Sequence, residues 1–377
     1  LFIAISMVVA MSSPLRSTVV KAQSETAKTT GVGGGTRKTL DFDGDDRADY
    51  AVISSGGVIP PETLSPKSPK QRIKAGIPRP MPTETNGGGG PVNWDILRNS
   101  GAGSTSVTFG QLGDFFVPGQ FTSDNRTDIA IWDSSTQQFT ICNSNVSDIF
   151  TDPTPCGPGE TITTVAIGDV NSDPTVIGDY TGDGIDDPCV FTGTQWVYLP
   201  NNGDGTFGAA VTVSFGQLGD FPSPGDYNGD GLDDFGVART APGNPSLGFF
   251  SIDFNGVTPG VPDREGAFGE SDDVVVPADY DGDGETEVAI ADVTNFTFIR
   301  WIYFSSAAGI VVGHDWGDNS IGFQVQADYD GDDVDDVAVW HTDPSGTFFV
   351  RRSSDLAMGV VSWGASTDYP VAYYQSH

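Results

Sequence analysis

An all-β fold built from repeated units is what this sequence predicts, and three observations predict it. An acidic loop recurs six times, followed each time by a short strand-like run, most often apolar and β-branched or aromatic. Gly (49) and Pro (25) are abundant, as a chain of many turns requires. No stretch carries a long helical periodicity. The 377 residues suffice for a large core, and one repeat architecture can take nearly all of them. A formal net charge of −33 argues against nucleic acid or an anionic membrane as partner. The acidity does not imply disorder: 37% hydrophobic and 11% aromatic residues leave much to bury, and most Asp sits in the loops.

The loop is clearest at Asp328-Tyr329-Asp330-Gly331-Asp332-Asp333-Val334-Asp335-Asp336, with carboxylates at places one, three, five and nine. A hard cation such as Ca2+ takes six to eight oxygens at about 2.3–2.6 Å. Alternating Asp residues in a tight loop supply most of them, and the Val334 carbonyl at place seven supplies another. An EF-hand would continue as a helix with Glu at place twelve. Here Val337-Ala338-Val339-Trp340 follows and reads as a buried strand.

In chain order, Leu1–Ala10 is an apolar run too short to span a membrane. With Val20-Lys21-Ala22 after it, residues 1–22 read as a secretory signal lacking its basic start, with a buried strand as the alternative. Residues 23–38 are small and polar and read as a disordered linker. No later stretch is long and apolar enough to span a membrane. The mature protein is therefore expected to be soluble and exported, secreted or at the cell surface.

From residue 39 the repeats run to 377. By the places defined above, the first loop offers Asp41, Asp43, Asp45, the Arg47 carbonyl and Asp49. The third offers Asp179, Thr181, Asp183, the Ile185 carbonyl and Asp187. The fourth offers Asp226, Asn228, Asp230, the Leu232 carbonyl and Asp234. The fifth offers Asp279, Asp281, Asp283, the Glu285 carbonyl and Glu287. The sixth offers Asp328, Asp330, Asp332, the Val334 carbonyl and Asp336. The second loop, Gln120–Asp128, has Gln120 and Thr122 where carboxylates are wanted, so weak or absent metal is expected there. About five Ca2+ ions follow. The later loops start roughly 50 residues apart, which suits one four-stranded propeller blade each.

Other positions fit the same unit. Place six holds Gly184, Gly231 and Gly284, or Asp46, Asn125 and Asp333, the types that tolerate a left-handed backbone. The second strand place is always small (Ala51, Ala130, Cys189, Gly236, Ala289, Ala338), which suits crowding of innermost strands at a propeller axis. A third element recurs as Phe109-Gly110, Phe215-Gly216, Phe268-Gly269, Trp316-Gly317 and Trp363-Gly364, followed by an Asp-containing turn and a strand into the next loop.

These units resemble FG-GAP/VCBS-type repeats, related to the β-propeller of integrin α chains and to some fungal propeller lectins. The resemblance covers residues 39–377 and implies a β-propeller with Ca2+ in its blade loops. Six loops plus Asp368–Tyr374, a strand with no loop of its own, predict six blades with the C-terminal strand closing the first; seven blades is the alternative. Pro370–Tyr374 is expected beside Tyr50–Ile53.

Two insertions interrupt the pattern. Residues 57–92, rich in Pro, Gly, Lys and Arg, read as a disordered surface loop or as a basic tether to an acidic surface. Residues 143–162 are bracketed by Cys142 and Cys156, and a disulfide is expected in an exported chain. Cys189, at the small strand place, reads as a packing residue rather than a nucleophile. Three Asn-x-Ser/Thr matches, at Asn125, Asn145 and Asn295, are too common a pattern to carry weight.

The three His (314, 341, 377) have no triad or metal spacing, and neither Gly-x-Ser-x-Gly nor a phosphate-cradling loop occurs. The sequence thus predicts a non-enzymatic calcium-binding adhesion or ligand-binding module, with an extracellular protein or glycan as partner. A glycan-binding lectin and a two-carboxylate carbohydrate-active enzyme are the alternatives.

Overall fold

Each acidic loop turns the chain back and delivers it into the second strand of a blade. The computed structural model describes residues 40–55, 90–143, 160–255, 258–293, 297–318, 322–342 and 345–374. The strands follow the apolar runs. The first blade holds β1 (Tyr50–Ser55), β2 (Pro91–Leu97) and β3 (Ser104–Gln111). The second holds β4 (Phe115–Phe116), β5 (Ile129–Asp133), β6 (Gln138–Asn143) and β7 (Thr161–Ala166). The third holds β8 (Cys189–Phe191), β9 (Trp196–Tyr198) and β10 (Val211–Val213). The fourth holds β11 (Phe221–Pro222), β12 (Phe235–Thr240), β13 (Leu247–Asp253) and β14 (Arg264–Glu270). The fifth holds β15 (Val274–Val275), β16 (Ala289–Asp292), β17 (Phe298–Ser305) and β18 (Ile310–Asp318). The sixth holds β19 (Gly322–Gln324), β20 (Val337–His341), β21 (Thr347–Arg351) and β22 (Met358–Ser362), and β23 (Tyr369–Pro370) returns to the first blade. The result is a six-bladed β-propeller with antiparallel blades. Five sheets have four strands; in the third the innermost strand is reduced to a bridge between Asp173 and Phe191.

Period-two burial explains the blade packing. In β2 the side chains of Val92, Trp94 and Ile96 are buried while their neighbours are not. Buried Trp94, Trp132, Trp196, Trp301 and Trp340 fill five of the blades. Four of these indoles close their blade: Trp94, Trp132, Trp301 and Trp340 donate Nε1–H to the carbonyls of Phe109, Ile167, Trp316 and Trp363 at 3.0–3.3 Å. Trp363 itself donates to Asp95 O at 2.9 Å, tying the sixth blade to the first.

The Phe/Trp-Gly element turns each blade into the next. Its glycine takes a positive φ, and at Gly269 a Cβ would also meet Ile290 at 3.0 Å. The turn that follows is pinned by a carboxylate: Gln111, Gln217, Glu270 and Ala365 donate their N–H to Asp114, Asp220, Asp273 and Asp368 at 2.7–2.9 Å. Burial, opposed by these bonds, pushes Asp114 up to about 6 and Asp273 up to about 7. A carboxyl whose folded pKa is raised is protonated in the folded state while the unfolded chain has already ionised. Stability therefore falls as pH rises from about 4 to about 7, then levels off. Asp273→Asn keeps an oxygen for the Glu270 N–H without the charge. It is expected to match the parent near pH 4 and to exceed it near pH 8 by on the order of 2–4 kcal/mol, read by denaturant melts.

Three expectations change in detail. The closing strand pairs as predicted, Val52 with Pro370 and Ile53 with Tyr369, but only two residues long, because Val371–Tyr374 coils into a 3-10 helix. The small residues of the second strand place lie not in the innermost strand but in the one beside it. They are small because the neighbouring strand and the place-two aromatic lie against them: a Cβ at Gly236 would sit 2.0 Å from Ser223 O and 3.0 Å from the Tyr227 ring. The insertion read as 57–92 ends earlier, since Pro91 opens β2 and Val92 is fully buried. Residues 1–38, most of that insertion and most of 143–162 lie outside the described residues, as do His377 and Cys156. Cys142 is disulfide-bonded. Cys189 is free and fully buried, and burial raises its thiol pKa well above normal, as a packing residue requires.

Candidate metal loops

The place-one carboxylate folds each loop around itself. Asp41 accepts the N–H groups of Gly44, Asp45 and Asp46 at 2.7–3.2 Å. Asp179, Asp226 and Asp328 repeat all three bonds, and Asp279 repeats those from Gly282 and Gly284. Short side-chain oxygens at this spacing compete well for backbone N–H groups. Place six is left-handed in all six loops, at Asp46, Asn125, Gly184, Gly231, Gly284 and Asp333 (φ 59–89°). The place-four glycines Gly44, Gly182, Gly229, Gly282 and Gly331 are left-handed too, which the sequence reading did not single out.

Three loops bring carboxylate oxygens together within 4.8 Å of one another: Asp41, Asp43 and Asp45; Asp279, Asp281, Asp283 and Glu287; Asp328, Asp330 and Asp332. That spread suits oxygens around one ion with bonds near 2.4 Å. In these same three loops the place-three Oδ1 atoms of Asp43, Asp281 and Asp330 are buried and accept no hydrogen bond. Their other oxygens are held by serines of the hairpin that crosses the loop: Ser100 Oγ to Asp43, Ser305 Oγ to Asp281 and Ser354 Oγ to Asp330, each 2.5 Å. The hydroxyl fixes the carboxylate plane, so the free oxygen is oriented before any ligand arrives. The acidic clusters can hold a metal ion, and the unsatisfied oxygens fit one.

The other loops differ. In the third and fourth, place three is Thr181 or Asn228, leaving two carboxylates at places one to five, and Asn228 Oδ1 accepts from Asp230 N at 2.9 Å. In the second, Thr122 Oγ1 donates to Asp124 at 3.0 Å and Gln120 Nε2 to Asn125 at 3.2 Å, so side chains satisfy one another.

Place nine is also a stitch. Asp49 accepts from Phe42 N (3.0 Å) and Asn99 N (2.7 Å), and Asp187, Asp234 and Asp336 repeat the pair with Tyr180 and Asn201, Tyr227 and Asn255, and Tyr329 and Ser353. Glu287 binds Tyr280 N at 2.8 Å and Ser306 Oγ at 2.8 Å, and its extra methylene lets it also reach the fifth cluster. Burial pushes Asp49, Asp234 and Glu287 up to about 8 and Asp187 and Asp336 up to about 7. A divalent cation among them would favour the ionised forms. At place seven, the backbone N–H groups of Arg47, Ile185, Leu232, Glu285 and Val334 each donate to the place-five carboxylate at 2.9–3.1 Å.

The hairpin residues Asn99, Asn201 and Asn255 were not singled out in the sequence. Asn99 Nδ2 donates to Ala48 O and to Tyr329 O of the sixth loop; Asn201 bridges Asp186 O and Phe121 O, and Asn255 bridges Asp233 O and Tyr180 O. Their recurrence just past the third strand of a blade was the available signal.

No family model matches the chain, and no curated protein matches it. Among solved structures it is similar to an Agrocybe aegerita lectin described as recognising non-reducing terminal N-acetylglucosamine. That likeness has 14% identity and a TM-score of 0.45, over 87% of this chain and 83% of that one. It is also similar to the WD40 domain of Toxoplasma gondii coronin, at 11% identity and a TM-score of 0.35, over 62% of this chain and 67% of that one. Neither likeness bears on ligand or activity.

Proposed function

We propose that this chain is an exported calcium-binding β-propeller of the FG-GAP/VCBS kind, acting as a non-enzymatic binding module for an extracellular protein or glycan. The observation that carries the calcium reading is the set of buried, unpartnered place-three oxygens on Asp43, Asp281 and Asp330. Hard, preoriented oxygen donors with no nitrogen or sulfur among them favour Ca2+ over transition metals. The loops at Asp41, Asp279 and Asp328 bind tightest, those at Asp179 and Asp226 more weakly, and the loop at Gln120 least. Export draws on the disulfide at Cys142, since such bonds persist in oxidising compartments. Elemental analysis after dialysis against calcium should find about five ions, three of them retained longest on dilution; zero or one would sink the reading.

The lectin alternative puts a glycan in place of the protein ligand on the same propeller. A glycan-array screen with and without calcium separates the readings. Glycan binding makes the protein a lectin, whereas no glycan binding leaves a protein ligand.

A further inference from the structure

The six loops form a closed ring of backbone hydrogen bonds. The place-eight N–H of each loop donates to the place-one carbonyl of the loop before it. The pairs are Thr127 to Asp41, Asp186 to Gln120, Asp233 to Asp179, Thr286 to Asp226, Asp335 to Asp279 and Ala48 to Asp328, at 2.6–2.8 Å. Three junctions carry a second bond. Asp186, Asp233 and Asp335 accept the place-one N–H of Gln120, Asp179 and Asp279 at 2.6, 2.8 and 3.1 Å. The other three junctions have Thr127, Thr286 and Ala48 at that place.

We propose that Asp335 couples calcium binding in the fifth and sixth loops more strongly than the sixth and first loops are coupled. This rests on the calcium reading above. Asp335 grips Asp279 from both sides, taking its N–H and giving a hydrogen bond to its carbonyl. Asp279 is the residue around which the fifth loop closes, with Gly282 and Gly284 bonded to its carboxylate. Asp335 stands between Val334, whose carbonyl is a predicted ligand of the sixth loop, and Asp336, which holds Tyr329 and Ser353. Val334 also packs on the fifth loop, where a Cβ at Gly282 would lie 2.7 Å from its Cγ2. An ion that orders Asp279 therefore orders residues 334–336, and the second ion meets a loop whose ordering cost is already met. Between the sixth and first loops Arg47 packs on Gly331 in the same way and Asn99 joins Asp49 to Tyr329 O, but the place-eight residue is Ala48, whose side chain can accept nothing from Asp328.

Asp335→Thr tests this, because Thr127 and Thr286 already fill the place at two junctions of the same ring. Calcium titrations by calorimetry use the full chain with one tight loop silenced at its place-three carboxylate. With Asp43→Ala, the fifth and sixth remain as the tight loops, and the tight phase of calcium binding, which precedes filling of the weaker third and fourth loops, should show a Hill coefficient clearly above 1. With Asp281→Ala, the sixth and first remain as the tight loops, and the coefficient of that phase should be lower. Adding Asp335→Thr to the first protein should bring it down to that lower value and weaken apparent affinity several-fold, whereas Asp335→Asn, which keeps an acceptor oxygen, should preserve the coupling. Equal coefficients in the two pairs, or coupling that survives Asp335→Thr, would overturn the proposal. Absence of tight calcium binding in every protein would instead overturn the calcium reading, and this inference with it.

Discussion

Chelating calcium is expected to lower the melting temperature by roughly 10 °C relative to the protein in 10 mM calcium. A ligand that binds only the folded state stabilises by about 2.7 kcal/mol at a hundredfold excess over its Kd. Extracellular calcium modules commonly bind at about 10⁻⁴–10⁻³ M, so 10 mM approaches that excess at the tighter loops. Three such ions give about 8 kcal/mol, and in a chain this long each kcal/mol moves the melting point by about 1.3 °C. Repulsion acts in the same direction: five divalent ions would offset ten of the 33 net negative charges. The effect should be local to the loops with buried, unpartnered oxygens. Asp330→Ala should remove at least a third of the calcium-dependent shift and leave the calcium-free melt nearly unchanged. A melting temperature indifferent to chelator would mean that hydrogen bonds alone hold the loops together.

Most of the architecture could be read because it is written locally. A loop of alternating Asp followed by a β-branched run states its own turn and its own strand, and the left-handed place six is a demand that only Gly, Asn or Asp meets cheaply. Repetition then supplied the blade count, and a C-terminal strand without a loop supplied the closure. What stayed hidden depends on neighbours distant in sequence. Asp49 looks like any other loop carboxylate until Asn99 arrives 50 residues later, and nothing around Asp43 announces Ser100. The inter-loop ring was equally hidden, since its bonds use backbone groups that every residue has. The small second-strand residues show the opposite error. The pattern was real, but crowding at the axis was the wrong cause, because steric demand reads the same from sequence wherever it arises.

Truncation after Gly364 is expected to cost more than any single substitution in a loop. It removes Tyr369 and Val371, both fully buried, and Ala372, 3% exposed, all within the largest core cluster of the protein. Burying a large apolar side chain is worth about 1.5–3 kcal/mol, and emptying its site adds a cavity cost, so the three together approach 6–8 kcal/mol. The Tyr369 ring also packs edge-on against Phe323 of the sixth blade at 5.6 Å, so its loss loosens the junction from both sides. Without β23, the backbone of Val52 and Ile53 becomes an unpaired edge at the centre of the ring. Three hydrogen bonds would still join the sixth blade to the first, Ala48 N to Asp328 O, Asn99 Nδ2 to Tyr329 O and Trp363 Nε1 to Asp95 O, since all lie before the cut. The truncated chain should therefore remain largely folded in saturating calcium but melt earlier, over a broader range, and aggregate at the first blade. Tyr369→Ala in the full-length chain should show the same direction with about half the loss. If the truncated protein melts as late and as sharply as the intact one, the ring is held by its loops and not by its closing strand.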